Sequence, residues 1–313
     1  MQDDINAAVT SWRDHGFAIL PGFVSATNLR PALRELSFLF PTADEFHDRV
    51  DPEKNRGFED EFGGITDFPF ASTELSLLAV HDSLIDLAES LLGAQNLRVL
   101  GIEAWAKYTA AVRYDQEHHR DYLSHSLVAP STDARFAVLE MFLFLVDTPI
   151  ALGPPSLVSR QHTADLPAIP NWYPRADAEA GDDHGTWRSV SGEPELYARE
   201  VSGAGPAGTV VAFSNSTLHR GTELTLPRGA RYTVMVNFRP AANDWNTRHS
   251  WQRHANGDEW HAFVKRASPR QLALFGWPSP GHAYWTHETI AGTQLRYPDL
   301  DMTPWAKAAI PAR

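Results

Sequence analysis

Apolar residues recur with a helical period at the start of the chain. Ile5, Ala8, Val9 and Trp12 fall at i, i+3, i+4 and i+7, Asp3 or Asp4 can cap the first turn, and Gly16 is a natural stop. Phe17 to Leu20 is a short apolar run closed by Pro21-Gly22, which predicts a strand and a turn. Leu29, Leu33, Leu36 and Phe40 share a second helical face, capped by Ser25 or Thr27 and ended by Pro41; a third helix fits Asp82 to Leu92, with Gly93 after it. Residues 42–75 are rich in charge, Gly and Phe, and read as a surface loop or as a flap over a site.

From about residue 97 the period changes from helical to alternating. Leu97 to Tyr108 places Val99, Glu103, Trp105 and Lys107 on one face. Ala134 to Val146 and Thr209 to Ser214 read as apolar strands. Arg231 to Arg239 is another, with Arg231, Thr233, Met235 and Asn237 on one face. Consecutive strands joined by Gly/Pro turns without intervening helices predict an antiparallel sandwich or barrel. The polar stretch within 161–200 reads as an insertion between strands, and 241–313 returns to mixed aromatic and helical character.

Composition then removes whole classes of chemistry. The chain has 313 residues, 14 histidines and no cysteine. Disulfides, zinc fingers, iron–sulfur clusters and thiol nucleophiles are therefore excluded. A net charge of −12 argues against broad nucleic-acid binding, which needs a basic footprint. No run approaches the ~18 apolar residues of a membrane helix. The acidic N-terminus lacks a signal-peptide pattern, so a soluble, cytoplasmic protein is expected. Oligomeric state is not legible.

The most informative stretch is Gln116-Glu117-His118-His119-Arg120-Asp121. Side chains two apart on a strand leave the same face, so His119 and Asp121 can converge on one point. His219, just past the Thr209–Ser214 strand, supplies a third ligand. Two imidazoles and a carboxylate with open positions form the facial triad that suits Fe(II). On the next strand come Arg231 and Thr233, a guanidinium beside a hydroxyl, which together suit a carboxylate. An inward Arg on an apolar strand needs such a partner; the alternative is a strand-end Arg paired with a surface acid. His118, three residues from Asp121, has the wrong spacing for one strand face. Glu140, on an apolar strand, is a buried acid needing a partner or lies on an exposed side.

The chain resembles the phytanoyl-CoA dioxygenase-like Fe(II)/2-oxoglutarate oxygenases from its N-terminus to about residue 240. The resemblance is carried by Asp14-His15-Gly16-Phe17-Ala18-Ile19-Leu20-Pro21-Gly22-Phe23, by His119-Arg120-Asp121, by Phe142 to Pro155, by Gly208 to His219 and by Arg231. It departs at Ser159-Arg160-Gln161-His162, where the family often has a Pro-Gly-Ser-His turn, and at Arg120 in the middle of the H-x-D.

The resemblance implies a mainly β fold with flanking α-helices and a double-stranded β-helix (jelly roll, cupin-like) core. It implies a single oxygenase domain over 1–313, with 1–95 a helical N-terminal region, 96–240 the jelly-roll core with its insertion at 161–200, and 241–313 a C-terminal extension. It further implies Fe(II) on His119, Asp121 and His219, and 2-oxoglutarate on Arg231 with Thr233 and Lys107. O2 would be the oxidant and ascorbate a supporting reductant. The expected reaction is hydroxylation or another oxidation of a small molecule of natural-product biosynthesis, with release of succinate and CO2. The carboxylate at Asp121 disfavours halogenation. Candidate pocket walls are residues 58–70, Trp105, Arg113, Trp172, the C-terminal aromatic segment and, if it faces the metal, Arg120; Trp105 fits core packing equally well. Two other readings stay open: a cupin-like metalloenzyme that does not use 2-oxoglutarate, and a non-catalytic binding jelly roll.

Overall fold

The computed structural model describes residues 2–61, 63–112, 114–121, 134–167, 170–175, 189, 193–243 and 251–308. The first helix, Gln2–His15, buries Ile5, Ala8 and Trp12, the stripe that the periodicity predicts. It stops at Gly16, whose φ of +86° excludes most side chains. A Cβ there would also meet Thr217 and Arg160 at 3.0 Å. Helices follow at Ala26–Glu35, Thr73–Ala79 and Asp82–Leu92. The 42–75 segment is not a bare loop: it holds two short helices, Ala43–His47 and Pro52–Arg56, started by the Thr42 and Asp51 side chains.

Eleven strands are assigned among the described residues. In chain order they are β1 (Phe17–Leu20), β2 (Thr66–Asp67), β3 (Leu97–Tyr108), β4 (His118–His119), β5 (Leu139–Phe144) and β6 (Ser156–Val158). The rest are β7 (Trp172–Tyr173), β8 (Glu200–Ser202), β9 (Val210–Ser214), β10 (His219–Arg220) and β11 (Ala230–Pro240). They form a six-stranded sheet, β1-β9-β5-β11-β3-β2, and a five-stranded sheet, β7-β4-β10-β6-β8. All the pairings are antiparallel. Flanking helices complete a mainly β architecture.

The larger sheet has two apolar faces with different partners. Ile102, Ala104, Leu139, Met141, Val234 and Val236 join the helices in the main core. Phe142, Phe144, Val211, Phe213 and Met235 turn the other way and meet Leu157 of the smaller sheet. The space between the sheets is therefore lined alternately along each strand.

Two sequence expectations change. The Ala134–Val146 strand is shorter: Ala134–Phe136 is a 3₁₀ turn, and the ladder runs over Leu139–Phe144. Asn215 takes up both backbone groups of Val138, its own N–H donating to the Val138 carbonyl, so sheet pairing begins one residue later. Val99 does not share a face with Glu103, Trp105 and Lys107. Gly101 pairs with Asn237 and Val99 with Phe238, so Leu100 is an extra residue on β3. One inserted residue reverses the alternation, and Val99 joins the main core.

Beyond residue 250, helices Asp258–Arg266, Pro269–Ala273, His287–Arg296 and Thr303–Ala308 pack through aromatic residues. Phe68, just after β2, meets Phe263 edge-on at 5.0 Å and stacks on Phe275 at 5.1 Å. Truncating such a buried ring costs about 3–5 kcal/mol, so the C-terminal region is fastened to the segment that borders the inter-sheet space. Among the described residues no helix is long and apolar enough to cross a membrane.

Candidate metal and co-substrate site

The triad is assembled by strand register. His219 of β10 stands directly opposite His119 of β4, with ring centroids 4.5 Å apart. Asp121 follows β4 and reaches both: its two carboxylate oxygens lie 3.5 Å from His119 Nε2 and 3.4 Å from His219 Nε2. The candidate ligand atoms of the three residues all fall within 4.8 Å of one another. Such separations are long for hydrogen bonds and suit three ligands around a shared centre.

Backbone carbonyls set the orientation of each ring. His119 Nδ1 meets the Glu117 carbonyl at 2.9 Å and His219 Nδ1 meets the Thr217 carbonyl at 3.3 Å. A carbonyl only accepts, so each Nδ1 carries the proton and each Nε2 lone pair points to the common centre. Burial, with His219 alongside, pushes His119 down to about 4, which keeps it neutral as a ligand must be. Burial also lowers His219, but the Asp121 carboxylate outweighs it and holds that imidazole above its usual value.

The outer side of the smaller sheet is closed by ions. His118 is fully buried and approaches Glu200 at 3.0 Å, a contact not aligned as a hydrogen bond. Arg220 donates to Glu200 at 2.5 and 3.1 Å and to Asp115 at 2.6 Å, and Arg175 pairs with Asp115 at 2.7 Å. Burial would raise Glu200, but contacts from His118 and Arg220 pull it down to about 2. These ions join β4, β8 and β10 directly behind the triad.

A chamber of about 200 Å³ opens between the sheets, and His119, Asp121 and His219 line it. Phe142, Phe144, Met235, Trp105 and Ile65 give it apolar walls. Arg231 enters from β11, 7% exposed. Its one hydrogen bond is a long one, 3.4 Å to the Leu152 carbonyl, and among the described residues no carboxylate pairs with it. Burial pushes its guanidinium down to about 10. Thr233, next on the same face, has a buried hydroxyl with no hydrogen-bond partner among the described residues. Lys107 pairs with Arg231 in register, rests 3.8 Å over the Tyr114 ring and donates to the Glu61 carbonyl. Burial and the Arg231 charge pull Lys107 down to about 7.

The remaining predicted residues are placed as follows. Trp105 lines the chamber and donates its indole N–H to Glu103 at 3.2 Å. Trp172 of β7 stacks on His119, 4.2 Å between centroids at 17°. Arg120 turns away from the metal centre, as the middle residue of H-x-D on a strand does: it donates to the Ser216 and Pro167 carbonyls at 3.0 and 2.7 Å. Arg113 lies outside the described residues. Glu140 is fully buried on the inner face opposite Asn237, at the far end of β11 from Arg231.

Sequence reasoning missed Tyr114 and Gln116, both of which line the chamber. Tyr114 donates to the Asp60 carbonyl at 3.2 Å, and Gln116 bridges Glu61 at 2.6 Å and the Gly221 N–H at 2.8 Å. With Lys107 they tie the 58–64 segment to the site. Their nearness to the H-x-D motif was the only available signal.

No protein-family model and no curated relative matches the chain. Solved structures do match in fold. AviO1 from Streptomyces viridochromogenes Tue57 is 18% identical, with a TM-score of 0.52 over 76% of this chain and 96% of that one. The epimerase SnoN, solved with Fe3+, alpha ketoglutarate and nogalamycin RO, is 18% identical, with a TM-score of 0.51 over 77% of this chain and 85% of its own. HygX from Streptomyces hygroscopicus, solved with nickel and 2-oxoglutarate, is 19% identical, with a TM-score of 0.51 over 75% and 86%. At this identity the likeness is one of fold.

Proposed function

We propose that the chain is a single-domain, jelly-roll, non-haem Fe(II)- and 2-oxoglutarate-dependent dioxygenase of the phytanoyl-CoA dioxygenase-like type. Its substrate is a small molecule of natural-product biosynthesis, hydroxylated or otherwise oxidised. One observation carries the reading: three convergent ligands share a chamber with a buried Arg that no carboxylate partners among the described residues. The donor set, two neutral imidazoles and one carboxylate, fits Fe(II) and leaves positions open. The unpartnered Thr233 hydroxyl beside Arg231 fits the far carboxylate of a dicarboxylic acid. SnoN and HygX, of similar fold, were solved with alpha ketoglutarate or 2-oxoglutarate and a metal.

Bound iron with 2-oxoglutarate and O2 supplies C–H oxidation, the co-substrate leaving as succinate and CO2. The chain's residues prepare for it. The Glu117 and Thr217 carbonyls hold the protons of His119 and His219 on Nδ1. Asp121 contributes the negative charge that the two neutral rings lack. Arg231 and Thr233 orient the co-substrate from its far end, and Lys107 adds a second donor beside them. Phe142, Phe144 and Met235 give the space between an apolar lining.

The test is succinate release from 2-oxoglutarate under aerobic conditions with Fe(II), over a panel of small natural products. Wild-type protein is expected to release succinate, and Asp121→Ala to release none and to lose its bound iron. Normal turnover by Asp121→Ala overturns the metal assignment. Metal-dependent turnover of a substrate without succinate favours the cupin-like alternative, in which Arg231 and Thr233 have no role.

A further inference from the structure

Among the described residues, the C-terminal aromatic segment lines not the chamber but a cavity of its own. This cavity holds about 350 Å³, against about 200 Å³ for the chamber, and the two share no lining residue. A space of this size falls within the range of small-molecule pockets, roughly 300–1,000 Å³. Trp251, Trp260, Trp277 and Trp285 line it with Phe275 and Tyr297. Trp251 and Trp260 both stand edge-on to Phe275, at 84°, with ring separations of 5.2 and 5.4 Å. Rings already held edge-on by one another make rigid walls, so a planar ring entering among them gains stacking contacts at little cost in side-chain freedom.

The polar groups of this wall narrow the ligand. Some donors are used inside the protein: the Trp260 indole N–H donates to the Tyr297 hydroxyl at 3.2 Å and that of Trp285 to the Pro278 carbonyl at 2.8 Å. Others are left over. The Trp277 side chain meets Tyr297 and Trp305 through its rings, and its indole N–H has no hydrogen-bond partner among the described residues. Arg296 donates to the Asn256 side chain at 3.2 Å, and among the described residues no carboxylate pairs with it. The lining residues include one cation and no acid, in a chain of net charge −12. Donors without acceptors suit a ligand that brings acceptors and negative charge. A cationic guest, the other common occupant of an aromatic cage, is repelled by the arginine.

We propose that this cavity is a second small-molecule site and that its ligand is a planar aromatic carboxylic acid. Arg296 is exposed while Trp260, Trp285 and Tyr297 are buried, so the charge stands at the opening and the rings form the floor. The ring system of the ligand lies among the indoles, and its carboxylate accepts from Arg296, with Trp277 offering a second donor. The site is independent of the oxygenase reading and needs neither metal nor 2-oxoglutarate.

2-Naphthoate and 2-naphthamide form a matched pair of probes, one anionic and one neutral, and each is titrated by calorimetry into the full-length protein as purified. Wild-type protein is expected to prefer 2-naphthoate by about fivefold, the upper range for an ion pair at an exposed position. Arg296→Gln is expected to bind the amide as wild type does and to lose the preference; its unchanged amide affinity shows that the fold is intact. Trp277→Leu is expected to bind both probes about threefold or more weakly, through the lost ring contact. Arg231→Met is expected to keep the preference, because the chamber arginine has no part in it. Equal binding of the pair by wild type, binding of neither, a preference kept in Arg296→Gln, or one lost in Arg231→Met overturns the proposal. Undiminished binding of both probes by Trp277→Leu overturns it as well.

Discussion

Arg220, partly buried, and Arg231, buried, are two arginines on successive strands, and the chain treats them in opposite ways. Arg220 faces outward from the smaller sheet, and Glu200 and Asp115 hold its guanidinium in a closed network. Arg231 faces inward and has, among the described residues, one long bond to a carbonyl and no acid. Both carry the burden of burying a charge. In the first the protein supplies the counter-charge, so the arginine is scaffold, fixing the strands that bear His119 and His219. In the second the counter-charge is left to a ligand. A buried ion with all its partners thus marks structure, and one without them marks a binding site.

The comparison breaks most sharply under substitution. Arg220→Met leaves the partly buried Glu200 and Asp115 beside each other without their shared cation, with Arg175 still on Asp115. We expect a loss of about 1.5–3 kcal/mol in chemical denaturation, with metal affinity falling as the strands loosen. Arg231→Met is expected to leave stability unchanged or higher, because it removes an uncompensated buried charge. Its 2-oxoglutarate affinity should fall by about 30-fold or more, at least about 2 kcal/mol. If both variants destabilise alike, the distinction between scaffold and site is wrong.

Acid titration separates the two regions next. Glu200 is held at about 2 against an ordinary value near 4.5. The unfolded chain then binds the proton first, so the contribution of Glu200 is full above about pH 4.5 and is lost as pH falls toward 2. Arg220→Met should flatten that part of the stability profile, and Arg231→Met should leave it unchanged.

The smallest effect is a proton count. Lys107 sits near 7 in the free protein, largely through burial and then through the Arg231 charge. At pH 8 it is mostly neutral, and a dianion placed beside it favours the charged form. Binding of 2-oxoglutarate at pH 8 should therefore take up a proton, read by calorimetry in buffers of different ionisation enthalpy. Lys107→Met should abolish the uptake.

These two regions were unequally legible in the sequence. His119 and Asp121 could be read because a spacing of two has one meaning on a strand, and Arg231 and Thr233 because an inward charge on an apolar strand needs a reason. The Arg220 network could not, because Asp115, Glu200 and Arg175 come from distant segments and meet only when the smaller sheet forms. Gln116 was in view beside the motif, but its role depends on Glu61 and Gly221. Alternation along β3 placed Glu103, Trp105 and Lys107 and misplaced Val99, since nothing in the apolar pattern marks Leu100 as the residue inserted by the bulge.

The most direct test of the account is an anaerobic titration of 2-oxoglutarate into Fe(II)-loaded protein, followed by the visible charge-transfer band of the chelate. Wild-type protein should develop the band at saturable 2-oxoglutarate, Arg231→Met only at much higher concentration, and Asp121→Ala not at all. A band that forms equally well in Arg231→Met would contradict the claim that this buried arginine is kept for the co-substrate.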